Sequence, residues 1–314
     1  MPRHRRIAVA ALAALLTLLG PAGSGAGHAA AAGQTIPAET TPAETTVADA
    51  FRAAEHYVAL GDSFASGPFI PVQRLDPIGC ARSTRNYPSL VAEALRVAEF
   101  TDVTCSAAVT GNMTAPQEVP LGRNPPQFDA LRPDTDLVTV SIGGNDIGYT
   151  DMIFTCGQLS FTDPLGDPCR RYATAGGSDL YAERILAAAP KVASVLQGIR
   201  EHSPQATVLL VGYLRILPPA VGCWPVVPIS RGDVPYLDGV QQQLTKMLAA
   251  QAETNGAVFV DPYAASLGRD TCQLPGVKWV EGLVPTSPAY PVHPNAAGMR
   301  AVADLTLGTL VSAD

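Results

Sequence analysis

The chain has 314 residues, a formal net charge of -7 and a charged fraction of 16%. An acidic chain with no cluster of Lys and Arg beyond its first residues is poorly matched to nucleic acid or to an anionic membrane surface.

Arg3, His4, Arg5 and Arg6 precede an apolar run from Ile7 to Leu19 and then small residues through Ala32. Charge, apolar run and Ala-x-Ala exit in that order read as a secretory signal peptide over 1–32, with cleavage expected between Ala30 and Gly33. The apolar run is too short to span a bilayer. An extracellular protein is therefore expected, more acidic still once Arg3, Arg5 and Arg6 are removed. Pro-Ala-Glu-Thr-Thr then occurs twice between Gln34 and Ala50, without aromatic residues or apolar periodicity. Such a stretch cannot bury enough surface to offset the entropy of ordering, so 33–50 reads as a disordered spacer. Residues 51–314 suit one α/β domain.

Five stretches read as buried strands: Tyr57–Leu60, Asp102–Cys105, Leu137–Ile142, Thr207–Tyr213 and Ala257–Asp261. Helical spacing lies between them, with Leu90, Val91, Ala94, Leu95 and Ala98 on one face and Leu237, Val240, Leu244, Met247 and Leu248 on another. Strands alternating with helices imply a parallel sheet covered on both sides. Asn295 is placed to cap a last helix running toward Leu310. The connections 64–87, 149–178, 214–234 and 262–292 are long and rich in Pro and Gly, which marks functional loops. They hold five of the six cysteines, Cys80, Cys105, Cys156, Cys169, Cys223 and Cys272. An even count in an exported chain predicts three disulfides among fifteen possible pairings. No Cys-x-x-Cys supports a zinc or redox reading.

The chemistry gathers at the strand ends. Ser63 follows the first strand in Ala-Leu-Gly-Asp-Ser, Gly111 the second, Asn145 the third in Ser-Ile-Gly-Gly-Asn-Asp, and His293 the fifth in Pro-Val-His-Pro-Asn. In a doubly wound sheet these positions share one rim, where such folds bind ligands. Taken singly, each block is what an ordinary turn uses. Four separate turns have no reason to bring a hydroxyl, an imidazole and amide donors to the same edge. Ester hydrolysis needs that set: a nucleophile (Ser63), a base (His293), and donors for the oxyanion (the Ser63 and Gly111 N–H groups and the Asn145 side chain). His56, ahead of the first strand, and His202, at a helix end, are worse placed.

On the blocks Ala-Leu-Gly-Asp-Ser-Phe-Ala-Ser-Gly, the glycine of Val-Thr-Gly-Asn-Met, Ser-Ile-Gly-Gly-Asn-Asp-Ile-Gly and Pro-Val-His-Pro-Asn-Ala-Ala-Gly, the sequence resembles the SGNH/GDSL hydrolase family, in particular its secreted actinobacterial lipase/esterase branch. The resemblance implies a flavodoxin-like three-layer α/β/α sandwich with a five-stranded parallel sheet. It also implies carboxylic-ester hydrolysis through an acyl-enzyme, no metal or organic cofactor, and pairing of Cys80 with Cys105, Cys156 with Cys169 and Cys223 with Cys272. Ser63 would be the nucleophile, His293 the base, and Gly111 and Asn145 part of the oxyanion hole. One departure stands out: where the family commonly carries Asp, three residues before the histidine, this chain has Tyr290. A Ser63/His293 dyad is therefore expected, with the main-chain carbonyl of Tyr290 or of a neighbour accepting from the ring. Glu281 is the alternative orienting acid, and Asp62 is expected only to hold its own turn.

The apolar loops Leu217–Ile229 and Pro68–Val72 are suited to lining an acyl-chain site or touching lipid. They favour an acyl lipid over an acetylated sugar as the ester substrate of an expected monomer. The rival readings are a carbohydrate acetyl esterase of the same fold, a non-catalytic secreted binding protein, and an α/β-hydrolase, which would need Gly where residue 65 is Ala.

Overall fold

A computed structural model describes residues 55–313. The signal peptide over 1–32 and the spacer over 33–50 lie outside the described residues.

Five strands form the parallel sheet: β1 (His56–Gly61), β2 (Glu99–Asp102), β5 (Leu137–Ser141), β6 (Thr207–Val211) and β7 (Val258–Val260). A small hairpin of β3 (Gln117–Val119) and β4 (Gly122–Asn124) sits between β2 and β5 in the chain. The helices are α1 (Ser63–Ser66), α2 (Tyr87–Leu95), α3 (Tyr149–Ser160), α4 (Pro168–Thr174), α5 (Leu180–His202), α6 (Asp233–Thr254), α7 (Pro262–Ala265) and α8 (Ala296–Ala313). Helix α2 packs on α8, and α5 packs on α6. The sheet order is β2-β1-β5-β6-β7, the flavodoxin-like order, which reverses direction between β1 and β5. Ser63 and Asn145 each follow one of those two strands, so both lie beside the crevice that the reversal opens.

The central strands are buried on both faces: Tyr57, Val58, Ala59 and Leu60 of β1 and Leu137, Val138 and Val140 of β5 are wholly enclosed. Their near-continuous apolar runs follow from cover on both sides of a parallel sheet. Within this core the Tyr57 hydroxyl meets Thr139 Oγ1 at 2.7 Å and that of Tyr87 meets Ser141 Oγ at 3.0 Å. The polar tips of large apolar rings thus find partners where water is absent.

Three sequence expectations need correction. The second strand lies at Glu99–Asp102, not Asp102–Cys105. Val103 and Cys105 still donate to Ala59 and Gly61 of β1, but the carbonyls of Asp102 and Thr104 accept from the buried Arg82 guanidinium, each at 2.7 Å. The buried face of α2 is Tyr87, Val91, Ala92 and Leu95, with Ala94 and Ala98 exposed. Residues 149–178 are not a structureless loop but hold α3 and α4, joined by Cys156–Cys169. Pro168 opens α4 at its first turn, where a missing N–H leaves no helical bond unmade. The other two disulfides are Cys80–Cys105 and Cys223–Cys272. The long α6 buries Leu237, Val240, Leu244 and Leu248 as its periodicity predicts. Asn295 caps α8 by accepting from the N–H groups of Ala297 and Gly298, each at 3.0 Å.

Candidate active site

Ser63 is fixed by the residues before it. Gly61 ends β1 with φ +143°, and a Cβ there would lie 2.6 Å from the Ser141 carbonyl oxygen, so only glycine fits. Asp62 N–H donates to that same carbonyl at 2.9 Å, and the Asp62 side chain caps α1 by accepting from Phe64 N–H at 2.9 Å. Its other oxygen accepts from the Tyr213 hydroxyl at 2.7 Å, and that hydroxyl accepts from Gly144 N–H at 2.8 Å. A chain of bonds therefore runs from the Ser63 turn to the Asn145 loop. Burial pushes the Asp62 carboxyl up to about 7, against the opposing pull of its bonds to Tyr213 and Phe64.

The Asn145 loop is tied in turn to the Gly111 turn. Asn145 Nδ2 donates to the Ala108 carbonyl at 2.9 Å, while Asp146 accepts from Thr110 N–H at 3.0 Å and from its hydroxyl at 2.5 Å. Gly143 has φ +109°, and a Cβ on Gly144 would come within 3.0 Å of the Tyr213 ring, which accounts for both glycines of the block. The N–H groups of Ser63 and Gly111 make no hydrogen bond among the described residues. A Cβ built on Gly111 meets no atom within 4 Å, so packing does not demand glycine there.

His293 Nε2 lies 2.7 Å from Ser63 Oγ. Its Nδ1 lies 2.8 Å from the carbonyl oxygen of Pro291, not of Tyr290. The Tyr290 carbonyl instead accepts from His293 N–H at 3.2 Å, closing a turn with Pro291 second and Val292 third at φ +61°. A positive φ at the third position is the type II pattern, costly for a β-branched residue. That turn spends the Tyr290 oxygen and leaves the Pro291 oxygen facing the ring. A carbonyl can only accept, so Nδ1 carries the proton and Nε2 is left to accept from the Ser63 hydroxyl. The Tyr290 ring instead meets His293 edge-on, with centroids 5.2 Å apart. Burial pushes the imidazole down to about 4, only partly offset by the Pro291 bond. The ring is 6% exposed and Ser63 is 9% exposed.

Glu281 does not reach the histidine ring. Its carboxylate is buried against Lys278 Nζ at 2.9 Å, Asn295 Nδ2 at 2.8 Å and Thr286 N–H at 2.7 Å. Its main-chain N–H does hold the His293 carbonyl at 2.9 Å, which steadies the loop rather than the imidazole.

Ser63, Asn145 and His293 line one cleft together with apolar walls from Phe64, Ile153, Phe154, Ile216, Leu244 and Val292. Gly111 stands on the adjoining turn and is not among the lining residues. Sequence reasoning missed Tyr213, whose position at the end of the fourth strand placed it on the same rim, and Asp146, next to a residue it had singled out.

A serine and a histidine in hydrogen-bond contact stand at the carboxyl edge of a flavodoxin-like sheet, where such folds bind ligands. The family model described as GDSL-like Lipase/Acylhydrolase family matches residues 59–301. The chain belongs to that family and is by class a carboxylic-ester hydrolase. Lipase 2 of Streptomyces coelicolor is 38% identical over 81% of this chain and 85% of its own length. Among solved structures, phospholipase A1 from Streptomyces albidoflavus superposes with a TM-score of 0.67 at 28% identity, covering 83% of this chain and 99% of that one. The extracellular lipase from Streptomyces rimosus gives 0.63 at 26% identity, covering 83% and 100%.

Proposed function

We propose that the chain is a secreted lipase/esterase that cleaves acyl-lipid esters with Ser63 as nucleophile and His293 as base. His293 Nε2 takes the Ser63 proton as Oγ attacks the ester carbonyl. The N–H groups of Ser63 and Gly111 and the Asn145 side chain receive the oxyanion, and the alcohol leaves with the proton from His293. Water then attacks the acyl-enzyme carbonyl and gives its proton to the same nitrogen. Collapse of the second adduct breaks the acyl–Oγ bond, releases the acid and returns that proton to Ser63 Oγ. A histidine that resists protonation suits this role, because the oxyanion raises its affinity for the proton only as the charge develops.

The observation that carries this reading is the 2.7 Å contact between Ser63 and a neutral ring held by Pro291. The acyl-lipid preference rests on the apolar walls of the cleft. Gln241, a polar lining residue, spends its amide on Leu214 and Ile216, and Tyr213 spends its hydroxyl on Asp62 and Gly144. Secretion is supported by the charged and apolar start of the sequence and by three disulfides. The test is a panel of p-nitrophenyl esters of increasing chain length beside a phospholipid and acetylated xylan, with Ser63→Ala as control. Activity on acyl esters that disappears in the variant is expected; faster cleavage of acetylated xylan would reverse the substrate assignment.

A further inference from the structure

Apolar side chains stand in water on two segments beside the cleft. On α3 and the turn after it, Phe154 lines the cleft and is 45% exposed, while Phe161 and Leu165 are 67% and 79% exposed. On the strap between β6 and α6, Val221 and Val226 are 69% and 72% exposed, with Trp224 between them. The two segments form one face. The Phe161 and Trp224 rings meet edge-on at 5.2 Å. Ser230 N–H donates to Ser160 Oγ at 2.8 Å, Arg231 N–H to the Pro164 carbonyl at 2.9 Å, and Gly232 N–H to the Gly166 carbonyl at 2.8 Å. Cys156–Cys169 and Cys223–Cys272 anchor the two segments. Docking such a face costs little ordering entropy.

We propose that this face seats the protein on a neutral or zwitterionic lipid surface, so that an acyl chain passes from the lipid into the cleft past Phe154. The inference rests on the acyl-lipid reading above and adds the surface that delivers the substrate. A contiguous apolar face of this kind marks an interaction site, and aromatic rings favour the water–lipid boundary. Its charge singles out the kind of lipid. Of the charges on these segments that reach solvent, Asp151, Asp163 and Asp167 are matched by Arg170, Arg171 and Arg231. Arg171 pairs with both Asp163 and Asp167 at 2.8 Å, and Arg215 is buried against Asp238. A face without net charge on an acidic protein has nothing to draw it to anionic headgroups. Among the described residues no helix is long and apolar enough to cross a membrane, so the seat is peripheral. Residues 33–50 contain no aromatic residue with which to cover the face.

The exported protein, freed of residues 1–32, tests this directly. Ser63→Ala stops turnover, and Trp279→Phe leaves Trp224 as the sole tryptophan. Adding phosphatidylcholine vesicles should move Trp224 emission to the blue and carry the protein down with the vesicles. Phe161→Ser with Val226→Ser should weaken that partitioning by about tenfold or more. With Ser63 restored, the same pair should lower hydrolysis of vesicle-borne ester to match, while p-nitrophenyl butyrate is cleaved within about twofold of the unaltered rate and thermal unfolding is unchanged. Unshifted emission, undiminished partitioning of the double variant, a requirement for phosphatidylglycerol, or a dimer that buries Trp224 without lipid would each overturn the proposal. Vesicle binding is read on a protein that cannot turn over, so its failure leaves the catalytic reading standing.

Discussion

The two halves of the proposed dyad are held in different ways. The Ser63 turn sits on a sheet end, capped by a carboxylate and bonded through Tyr213 to the loop that carries Asn145. The His293 loop is held by main-chain bonds and burial, and its ring touches a carbonyl dipole where many serine hydrolases have an acid. A carboxylate does stand nearby in sequence, but Glu281 is spent on Lys278, Asn295 and Thr286. Charge thus secures the framework on the serine side and is kept from the ring on the histidine side. Burial keeps the imidazole an uncharged acceptor toward the Ser63 hydroxyl, and in the proposed mechanism its cation forms only with the oxyanion.

The largest blow to this pairing is His293→Ala, expected to lower kcat/KM on a short p-nitrophenyl ester by on the order of 10⁴-fold while far-UV circular dichroism is unchanged. Asn145→Ala removes one proposed oxyanion donor and should cost about 100- to 1000-fold in kcat with KM little altered. Near-full turnover would take Asn145 out of the machinery. Tyr213→Phe deprives Asp62 of a donor and Gly144 N–H of its acceptor, and a loss of about tenfold in kcat is expected, near 1.4 kcal/mol. A rise in KM alone would place Tyr213 in substrate binding instead.

The pH profile sharpens the comparison from the histidine side. With the ring pushed down to about 4, kcat/KM should hold as the pH falls through the usual histidine range and drop only as it nears 4. An inflection near 7 would belong to Asp62 and should vanish in Asp62→Asn. For stability the two groups oppose each other. Below about 6.5 the unfolded chain takes up a proton that folded His293 refuses, which favours unfolding as the pH falls toward 4. Folded Asp62 already holds below about 7 a proton that the unfolded chain does not take up until about 4, which favours the fold. The His293 contribution is therefore read in Asp62→Asn. The smallest effect on turnover is expected from Glu281→Gln. It strands buried Lys278 and should lower unfolding free energy by about 3 kcal/mol in a urea titration, yet leave the rate per folded molecule nearly unchanged. A fall in rate as steep as that of His293→Ala would make Glu281 the orienting acid after all.

Much of the fold and half of the site were legible in the sequence. Apolar runs closed by Gly, Asn or His mark strand ends, and strand ends in this topology share a rim, so Ser63, Asn145 and His293 could be placed there before any coordinates. The carbonyl behind His293 is that of Pro291, the neighbour rather than the first choice Tyr290, because a main-chain oxygen leaves no side-chain signature and the turn at Val292 decides which one faces the ring. Helices α3 and α4 were hidden by Gly157, Pro164, Gly166 and Pro168, which punctuate the segment as a loop would. Tyr213 was marked only by its place at a strand end, since its partners Asp62 and Gly144 are 151 and 69 residues away.

One side chain has a reach that its place in the sequence hides. Beside Cys105, whose N–H still reaches the Gly61 carbonyl at 2.9 Å, the Gln127 amide engages both backbone groups of Gly61. Its Oε1 accepts from Gly61 N–H at 2.7 Å and its Nε2 donates to the Gly61 carbonyl at 3.0 Å. A residue outside the proposed chemistry thereby splints the backbone two positions ahead of Ser63. Replacing it with Glu would set one anionic oxygen against the Gly61 carbonyl, and the tremor would arrive at Ser63 first.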